Sequence, residues 1–259
     1  MKEIIFENVT SIKSPLKMDV SIVITTYNYS AFIESCIKSC TNQIGTTLNY
    51  EIIVVDDGST DNTPHIVASY SSDLVRIFRI ENSGIEKASN FGFSKANGDY
   101  IVRVDADDLL FPNYLASMEN VLSSKYGFFY SNYQVIDGKN KILKYIRLPK
   151  FDPKEILSRG DFLATGTLVR ADILDQFGPY ECEITNSGLE NYAFIIDLLS
   201  NGINGLHVPN VLFRYRRHSK NISELKRDAI IQNGKRLFAK NNLGPFATNK
   251  FHPYDLKVT

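Results

Sequence analysis

From residue 20 to residue 104 the chain alternates short apolar, β-branched runs with helical segments, and this alternation restricts the possible folds more than any other feature. The runs VSIVIT (20–25), EIIVV (51–55), VRIFRI (75–80) and YIVRV (100–104) suit strands buried on both faces of a parallel sheet. Between the first two, Ile33, Cys36, Ile37 and Cys40 share one helical stripe, with Ser30 as the expected N-cap. Pro64 stands where a second helix would begin, and residues 84–96 form a third. The expected fold class is α/β, a mostly parallel central sheet flanked by helices. Ligands of such sheets sit outside the carboxyl ends of the strands. All four runs here end in polar clusters: Thr25-Thr26-Tyr27-Asn28, Asp56-Asp57-Gly58-Ser59, Asn82-Ser83-Gly84 and Asp105-Ala106-Asp107-Asp108.

After Pro112 the alternation loosens. A helix at 114–123 precedes the strand in GFFYSNYQVID, which ends in an Asp-Gly turn. A short strand at 166–169 leads into a helix at 171–177 stopped by Gly178-Pro179, and a helix at 189–200 is closed by Asn201-Gly202. Short strands at 206–208 and 212–215 and a charged helix at 219–241 complete the reading. No repeat or linker interrupts it, so both halves are expected to share one sheet. The expected organisation is an N-terminal extension (1–18), one domain (19–218, with halves 19–111 and 112–218) and a C-terminal helical tail (219–259).

Several function classes drop out. Lysine plus arginine and aspartate plus glutamate both number 29, so the basic excess of a nucleic-acid binder is missing. No run approaches the roughly 18 to 20 apolar residues of a membrane helix. The opening MKEIIFENVT lacks the apolar core of a secretory signal, so the expected location is the cytoplasm. Three cysteines cannot all pair, and Cys36 and Cys40 read as reduced thiols on a helix face. A dinucleotide-binding dehydrogenase is excluded, because no Gly-x-Gly-x-x-Gly follows a strand.

Two clusters carry chemistry. Asp105, Asp107 and Asp108 repel one another unless a cation neutralises them, and such oxygen-rich sets suit Mg²⁺ or Mn²⁺ bound to a diphosphate. An acidic helix start ahead of Pro112 is the plainer explanation. The strand-end position favours the metal, with Asp107 expected to face solvent. The Asp57 carboxylate can accept the imide N–H of uracil, thymine or guanine, which adenine lacks. An Asx-turn or cap is its alternative, a role Asp61 or Thr63 would fill equally well. Tyr27 can stack on the same base, although an isolated tyrosine is more often a packed ring.

The segments VSIVITTYN, EIIVVDDGSTDNT, NSGIEKASNFGFSKANGDYIVRVDADD and SGLENYAFIIDLLSNG, followed by VLFRYRRHSKNIS, resemble the successive motifs of the family 2 glycosyltransferases in order and spacing. The resemblance implies a nucleotide-diphospho-sugar transferase (GT-A) fold. It also implies metal-dependent, inverting transfer of a sugar from a UDP, dTDP or GDP sugar to a hydroxyl of a glycan or lipid-linked acceptor, in surface polysaccharide assembly. On that basis 19–111 would bind the nucleotide sugar and 112–218, including Thr165-Gly166-Thr167, the acceptor. Thr25 and Tyr27 would line the base pocket, Asp57 would hold the base N–H and Asp105 would lie near the ribose. Asp107 would ligate Mg²⁺ or Mn²⁺, with His218 approaching the metal or the diphosphate. Asn82, Gly84 and Lys87 would border the nucleotide at a helix N-terminus, where anions are favoured.

Two positions depart from the pattern. Ala88-Ser89-Asn90-Phe91-Gly92 has serine where many relatives carry arginine, and Glu190-Asn191 stands where relatives carry Glu-Asp with the aspartate as general base. Asparagine cannot take a proton at neutral pH, so Glu190 becomes the expected base, with Glu183 and Asp197 the next acids in sequence. A first-turn charge that complements the helix dipole is the alternative role of Glu190. Asn191 also keeps open a nucleotide-sugar-binding protein without catalysis. A sugar nucleotidyltransferase is less favoured, because residues 25–28 contain neither glycine nor a basic side chain. The tail cations Lys220, Lys226, Arg227, Lys235, Arg236 and Lys240 offer peripheral contact with the inner face of a membrane, but a solvated face or an oligomer contact is the favoured reading.

Overall fold

The structure, a computed structural model, describes residues 17–123, 125–160, 163, 165–219, 221, 225–252 and 258. Most of the expected N-terminal extension and Lys220 of the tail therefore lie outside the described residues. Among the described residues no helix is long and apolar enough to cross a membrane.

β1 (Val20–Thr26) is buried along its whole length because it runs inside the sheet, parallel to β2 (Tyr50–Asp56) on one side and β4 (Tyr100–Asp105) on the other. β3 (Val75–Arg79) extends this parallel group beyond β2. The connecting helices are α1 (Ile33–Thr41), α2 (Thr63–Ala68, with Pro64 in its first turn) and α3 (Ile85–Ser94). α1 buries the expected stripe of Ile33, Cys36, Ile37 and Cys40, and both thiols are free. Ser30 is not its N-cap. The helix opens after Phe32, whose N–H, like that of Ile33, is taken by the Tyr29 carbonyl, and Ser30 instead donates its own N–H to Asp61 at 3.1 Å.

The later elements are β5 (Leu109–Leu110), α4 (Tyr114–Glu119), β6 (Phe128–Asp137), β7 (Ile142–Ile146), α5 (Pro153–Arg159), β8 (Leu168–Arg170), α6 (Ala171–Phe177), α7 (Glu190–Ser200), β9 (Gly205–Arg217) and α8 (Arg227–Lys240). They join the same sheet, in the order β3-β2-β1-β4-β8-β6-β9-β5, with β7 beside β6. β8 runs antiparallel to both β4 and β6, so the sheet turns from parallel to mixed halfway across. The two short strands expected after residue 205 are one strand: Pro209 lacks an N–H, and the register with β6 shifts beside it.

The tail is not a separate appendage. Ile230, Gly234 and Phe238 form a buried stripe on α8, and the Phe238 ring lies 5.0 Å from Phe246 and 6.2 Å from Tyr192 of α7. Of its cations, Lys235 and Arg236 are exposed, Lys240 pairs with Glu181 at 2.7 Å, and Lys226 reaches the cavity described below.

Candidate active site

Strand register sets the site. Thr25 of β1 lies beside Asp105 of β4, and Thr26 beside Asp56 of β2, so three parallel strands end level. They open into a cavity of about 470 Å³, within the usual size for a small-molecule site. Thr25, Tyr27, Asp57, Asn82, Asp105, Asp107 and Glu190 all reach its wall. The α7 end and the start of the tail close the far side with Asn191, Asn221 and Lys226.

At one end stands Asp57, buried and surrounded by donors. Its Oδ1 accepts the N–H of Ser83 at 2.8 Å and the Ser83 hydroxyl at 3.1 Å, while Oδ2 accepts the N–H of Gly84 at 2.9 Å. The Asn82 side chain donates to the Asp57 carbonyl at 2.9 Å. Gly58, at φ +75°, makes this closeness possible: a Cβ there would sit 2.8 Å from the Asn82 nitrogen. The Asx-type turn belongs to Asp56, which accepts from Ser59 at 2.9 Å. Burial pushes the Asp57 carboxyl above the usual range, partly offset by the bonds from Ser83 and Gly84. The Asn82 amide also reaches Oδ2 at 3.5 Å, so all of the carboxylate's about four acceptor positions are engaged, the last of them by a long, weak contact.

The start of α3 is already capped. The Ile85 N–H donates to the Asn186 side chain at 3.1 Å, and buried Glu86 accepts the N–H groups of Asn186 and Ser187 at 2.8 and 2.7 Å. These bonds tie the loop before α7 to α3 across a hundred residues of chain. Gly84 gives its N–H to Asp57 and does not reach the cavity wall. Lys87 is exposed and also off the wall. Ile85 and Ala88 point inward, and two residues beyond Ile85 is about 200° around the helix. The expected anion site at this helix end is therefore corrected to a capped terminus, with Asn82 alone of the three on the wall.

Acids crowd the other end. Asp107 does not face solvent as expected; it is 5% exposed, and its Oδ2 meets His218 Nε2 at 2.9 Å and the Asn221 amide at 3.1 Å. His218 stands behind Asp107, off the cavity wall, with its ring 4.9 Å from that of Phe32. Fully buried Asp108 accepts the Arg216 N–H at 2.8 Å, and Arg216 Nε donates to the Asp107 carbonyl at 2.6 Å. Burial pushes the Asp107 carboxyl upward, and Asp105 adds to this against the pull of His218. Asp108 is pushed well above the usual range by burial, then by Asp107 and Asp105. Such raised acids mark a place where added positive charge is favoured.

Among the described residues no three His, Cys, Asp or Glu side chains converge as a metal-ligand set. Two donors do fit. Asp107 Oδ2 and His218 Nε2 are 2.9 Å apart and hydrogen-bonded to each other, so both would be within reach of one cation that displaced this contact. A cation there would replace the proton that the Asp107–His218 contact requires, and diphosphate and water would complete its shell, as is usual for Mg²⁺.

Glu190, at the first turn of α7, is tied to Arg103 of β4: Nη1 meets Glu190 Oε1 at 2.7 Å. Arg103 Nε also lies 3.2 Å from Asp105 Oδ1, close enough to pair but misaligned for a hydrogen bond. Burial opposes the charge on Arg103, but Asp105, Tyr180 and Glu190 together hold it firmly protonated. Glu190 Oε2 and Asn191 Nδ2 have no hydrogen-bond partner among the described residues, while Asn191 Oδ1 accepts from Tyr180 at 3.2 Å. Glu190 thus has one oxygen anchored by Arg103 and one that is buried and without a hydrogen-bond partner among the described residues. Arg103, Arg216 and Asn221 escaped the sequence reading. Arg103 did leave a signal, a charge in the middle of the apolar run YIVRV.

The family described as Glycosyl transferase family 2 matches residues 21–176. An uncharacterized glycosyltransferase of Haemophilus influenzae is 30% identical over 185 residues, covering 70% of this chain and 71% of that protein. Another, from Rickettsia felis, is 37% identical over 133 residues, 49% of this chain, but the match covers only 22% of that protein's length. Among solved structures, S. aureus TarS 1–349 in complex with UDP-GlcNAc superposes with a TM-score of 0.67 at 19% identity, covering 88% of this chain and 67% of that one. The mannosyltransferase PcManGT of Pyrobaculum calidifontis, in complex with GDP-Man and Mn²⁺, gives 0.65 at 18% identity, covering 93% and 68%.

Proposed function

The chain belongs to glycosyl transferase family 2 and has the GT-A nucleotide-sugar transferase architecture, and from that premise we propose that it transfers a sugar from a UDP, dTDP or GDP sugar to an acceptor hydroxyl with inversion, in glycan or polysaccharide assembly. The observation that carries this reading is one cavity joining Asp57 at one end to Asp105, Asp107 and Glu190 at the other. Bound UDP-GlcNAc in TarS and bound GDP-Man with Mn²⁺ in PcManGT support a nucleotide-sugar donor and a divalent cation.

In this reading the base lies between Tyr27 and Asp57, whose Oδ2 takes an imide N–H in place of the long Asn82 contact. Thr25 lines the base pocket with Tyr27, and Asp105 borders the ribose. Asp107 and His218 would hold the cation, which supplies charge to offset the leaving diphosphate. Glu190 accepts the acceptor's hydroxyl proton at Oε2, which is buried and unpartnered among the described residues until an acceptor enters, while Arg103 fixes Oε1 and so orients the carboxylate. Asn191 cannot share that task, and this observation favours one second reading, a nucleotide-sugar binder without transfer.

Incubation with UDP, dTDP and GDP sugars and Mn²⁺, with nucleoside diphosphate as the product measured, separates these readings. Metal-dependent release from at least one donor is expected. Binding without release would make the chain a binder, and release of pyrophosphate would make it a nucleotidyltransferase.

A further inference from the structure

The β6–β7 hairpin lies outside everything assigned above. Residues 138–150, GKNKILKYIRLPK, hold five cations and no carboxylate in a chain whose charges balance only as a whole. Lys139, Lys141, Arg147 and Lys150 are exposed. Between them Ile142, Leu143 and Tyr145 are 42%, 52% and 61% exposed. Alternation along β7 puts Leu143, Tyr145 and Arg147 on one face, while Lys144 and Ile146 on the other are partly covered. Among the described residues β7 pairs with β6 alone.

Lysines on a free strand edge guard against pairing with another strand, which argues against a second copy adding there. Guarding does not explain why leucine and tyrosine stand in solvent between them. Cations framing exposed apolar and aromatic side chains match an anionic lipid surface, where headgroups take the charge and the interface takes the rings and aliphatic tips. A phosphate backbone would use the cations and leave Leu143 and Ile142 without a role.

The hairpin is also wired to the cavity. Fully buried Arg216 donates from Nε to the Asp107 carbonyl at 2.6 Å and from Nη1 to the Asp137 carbonyl at 3.1 Å and the Asn140 side chain at 2.7 Å. Asp137 in turn accepts the N–H groups of Lys139 and Lys141 at 2.8 and 2.9 Å, which shapes the turn. One guanidinium therefore spans from the basic turn to the acid end of the cavity.

We propose that the β6–β7 hairpin docks the protein on an anionic lipid surface, with Leu143 and Tyr145 entering the interface and Lys139, Lys141, Arg147 and Lys150 contacting headgroups. The turn of this hairpin is joined through Arg216 to the Asp107 carbonyl, so docking here would hold the acid end of the cavity near the membrane. The charged α8 is not needed for such contact.

The test is co-sedimentation of the 259-residue chain with mixed phosphatidylcholine–phosphatidylglycerol vesicles, against phosphatidylcholine alone, at low and high salt. Binding is expected only to the anionic vesicles, and salt should weaken it. The double variants Leu143→Ser with Tyr145→Ser, and Lys139→Glu with Lys141→Glu, should each lower partitioning by about tenfold or more. Both should keep the parent melting temperature and nucleoside diphosphate binding, which separates this result from misfolding and from any failure of the transfer reading. Failure to bind anionic vesicles, equal binding to neutral ones, or undiminished binding by both doubles would overturn the proposal. So would single-stranded RNA retention, or a concentration-dependent dimer, lost in the doubles while vesicle binding persists.

Discussion

The two ends of the cavity solve opposite problems. At the Asp57 end one carboxylate is surrounded by donors from its own chain, so it is rigid and needs no ligand to be satisfied. At the other end Asp105, Asp107, Asp108 and Glu190 crowd together, with His218 and the guanidiniums of Arg103 and Arg216 as nearby positive or donating groups. The first end is preorganised to recognise a neutral N–H. The second is left with excess negative charge, and a cation relieves it. On the proposed reading, the first end would serve recognition and the second chemistry.

The largest effect is expected at the chemical end. Glu190→Gln should cut sugar transfer by about two to four orders of magnitude while leaving donor binding within a factor of about two. Asn191→Asp should keep or raise the rate, because it adds a second carboxylate next to Glu190. Transfer assays on both variants check this. If Glu190→Gln transfers as fast as the parent, Glu190 is only the partner of Arg103.

Next in size is the recognition end. Asp57→Ala should lose about 1 to 3 kcal/mol of nucleotide binding and with it the preference for an imide-bearing base over adenine. Because Asp57 also anchors Ser83 and Gly84, the melting temperature should drop as well, a double loss that separates it from a residue that only touches ligand. Paired calorimetric and melting curves read both.

The pH response should differ in sign between the acid end and the rim of the recognition end. Asp107 and Asp108 have folded pKa values raised above the unfolded value near ~3.9, so the fold is favoured while they are protonated. That contribution is lost as pH rises from the unfolded value through the folded ones, and added Mn²⁺ should stabilise the protein more at the upper end of this range. Asp61 behaves oppositely. Burial would raise it, but the bonds from Thr63 and Ser30 win and bring it to about 2, so its contribution is complete above the unfolded value and lost as pH falls toward 2. Its carboxylate is largely solvated, so Asp61→Asn should cost only about 0.5 to 1 kcal/mol. Melting curves of parent and variant across pH, with and without Mn²⁺, measure both signs.

The same contrast shows what a sequence can display. β1 to β4 were legible because strands buried on both faces must be continuous apolar runs, and the turn residues after them mark their ends. The polar clusters holding Thr25, Asp57, Asp105 and Asp107 were marked by that position, whereas the roles of Thr25 and Asp105 came only from the family resemblance. Lys87 was misread because motif order carries no helix phase, and Gly84 because its N–H is claimed by a carboxylate 27 residues earlier. Arg103 stood in plain view, yet its pairing with Glu190, 87 residues away, exists only after β4 and α7 meet. β5, two residues long, has no period to detect.

The central claim is that one cavity reads a nucleobase at the Asp57 end and holds a cation and diphosphate at the Asp107 end. Calorimetric titration of UDP, dTDP, GDP and ADP into the protein and into Asp107→Asn, with and without Mn²⁺, tests it most directly. The expected result is Mn²⁺-dependent binding of at least one of UDP, dTDP or GDP, tighter than ADP, with the metal dependence absent in Asp107→Asn. Equal affinity of parent and variant at saturating Mn²⁺, or a preference for ADP, would contradict it.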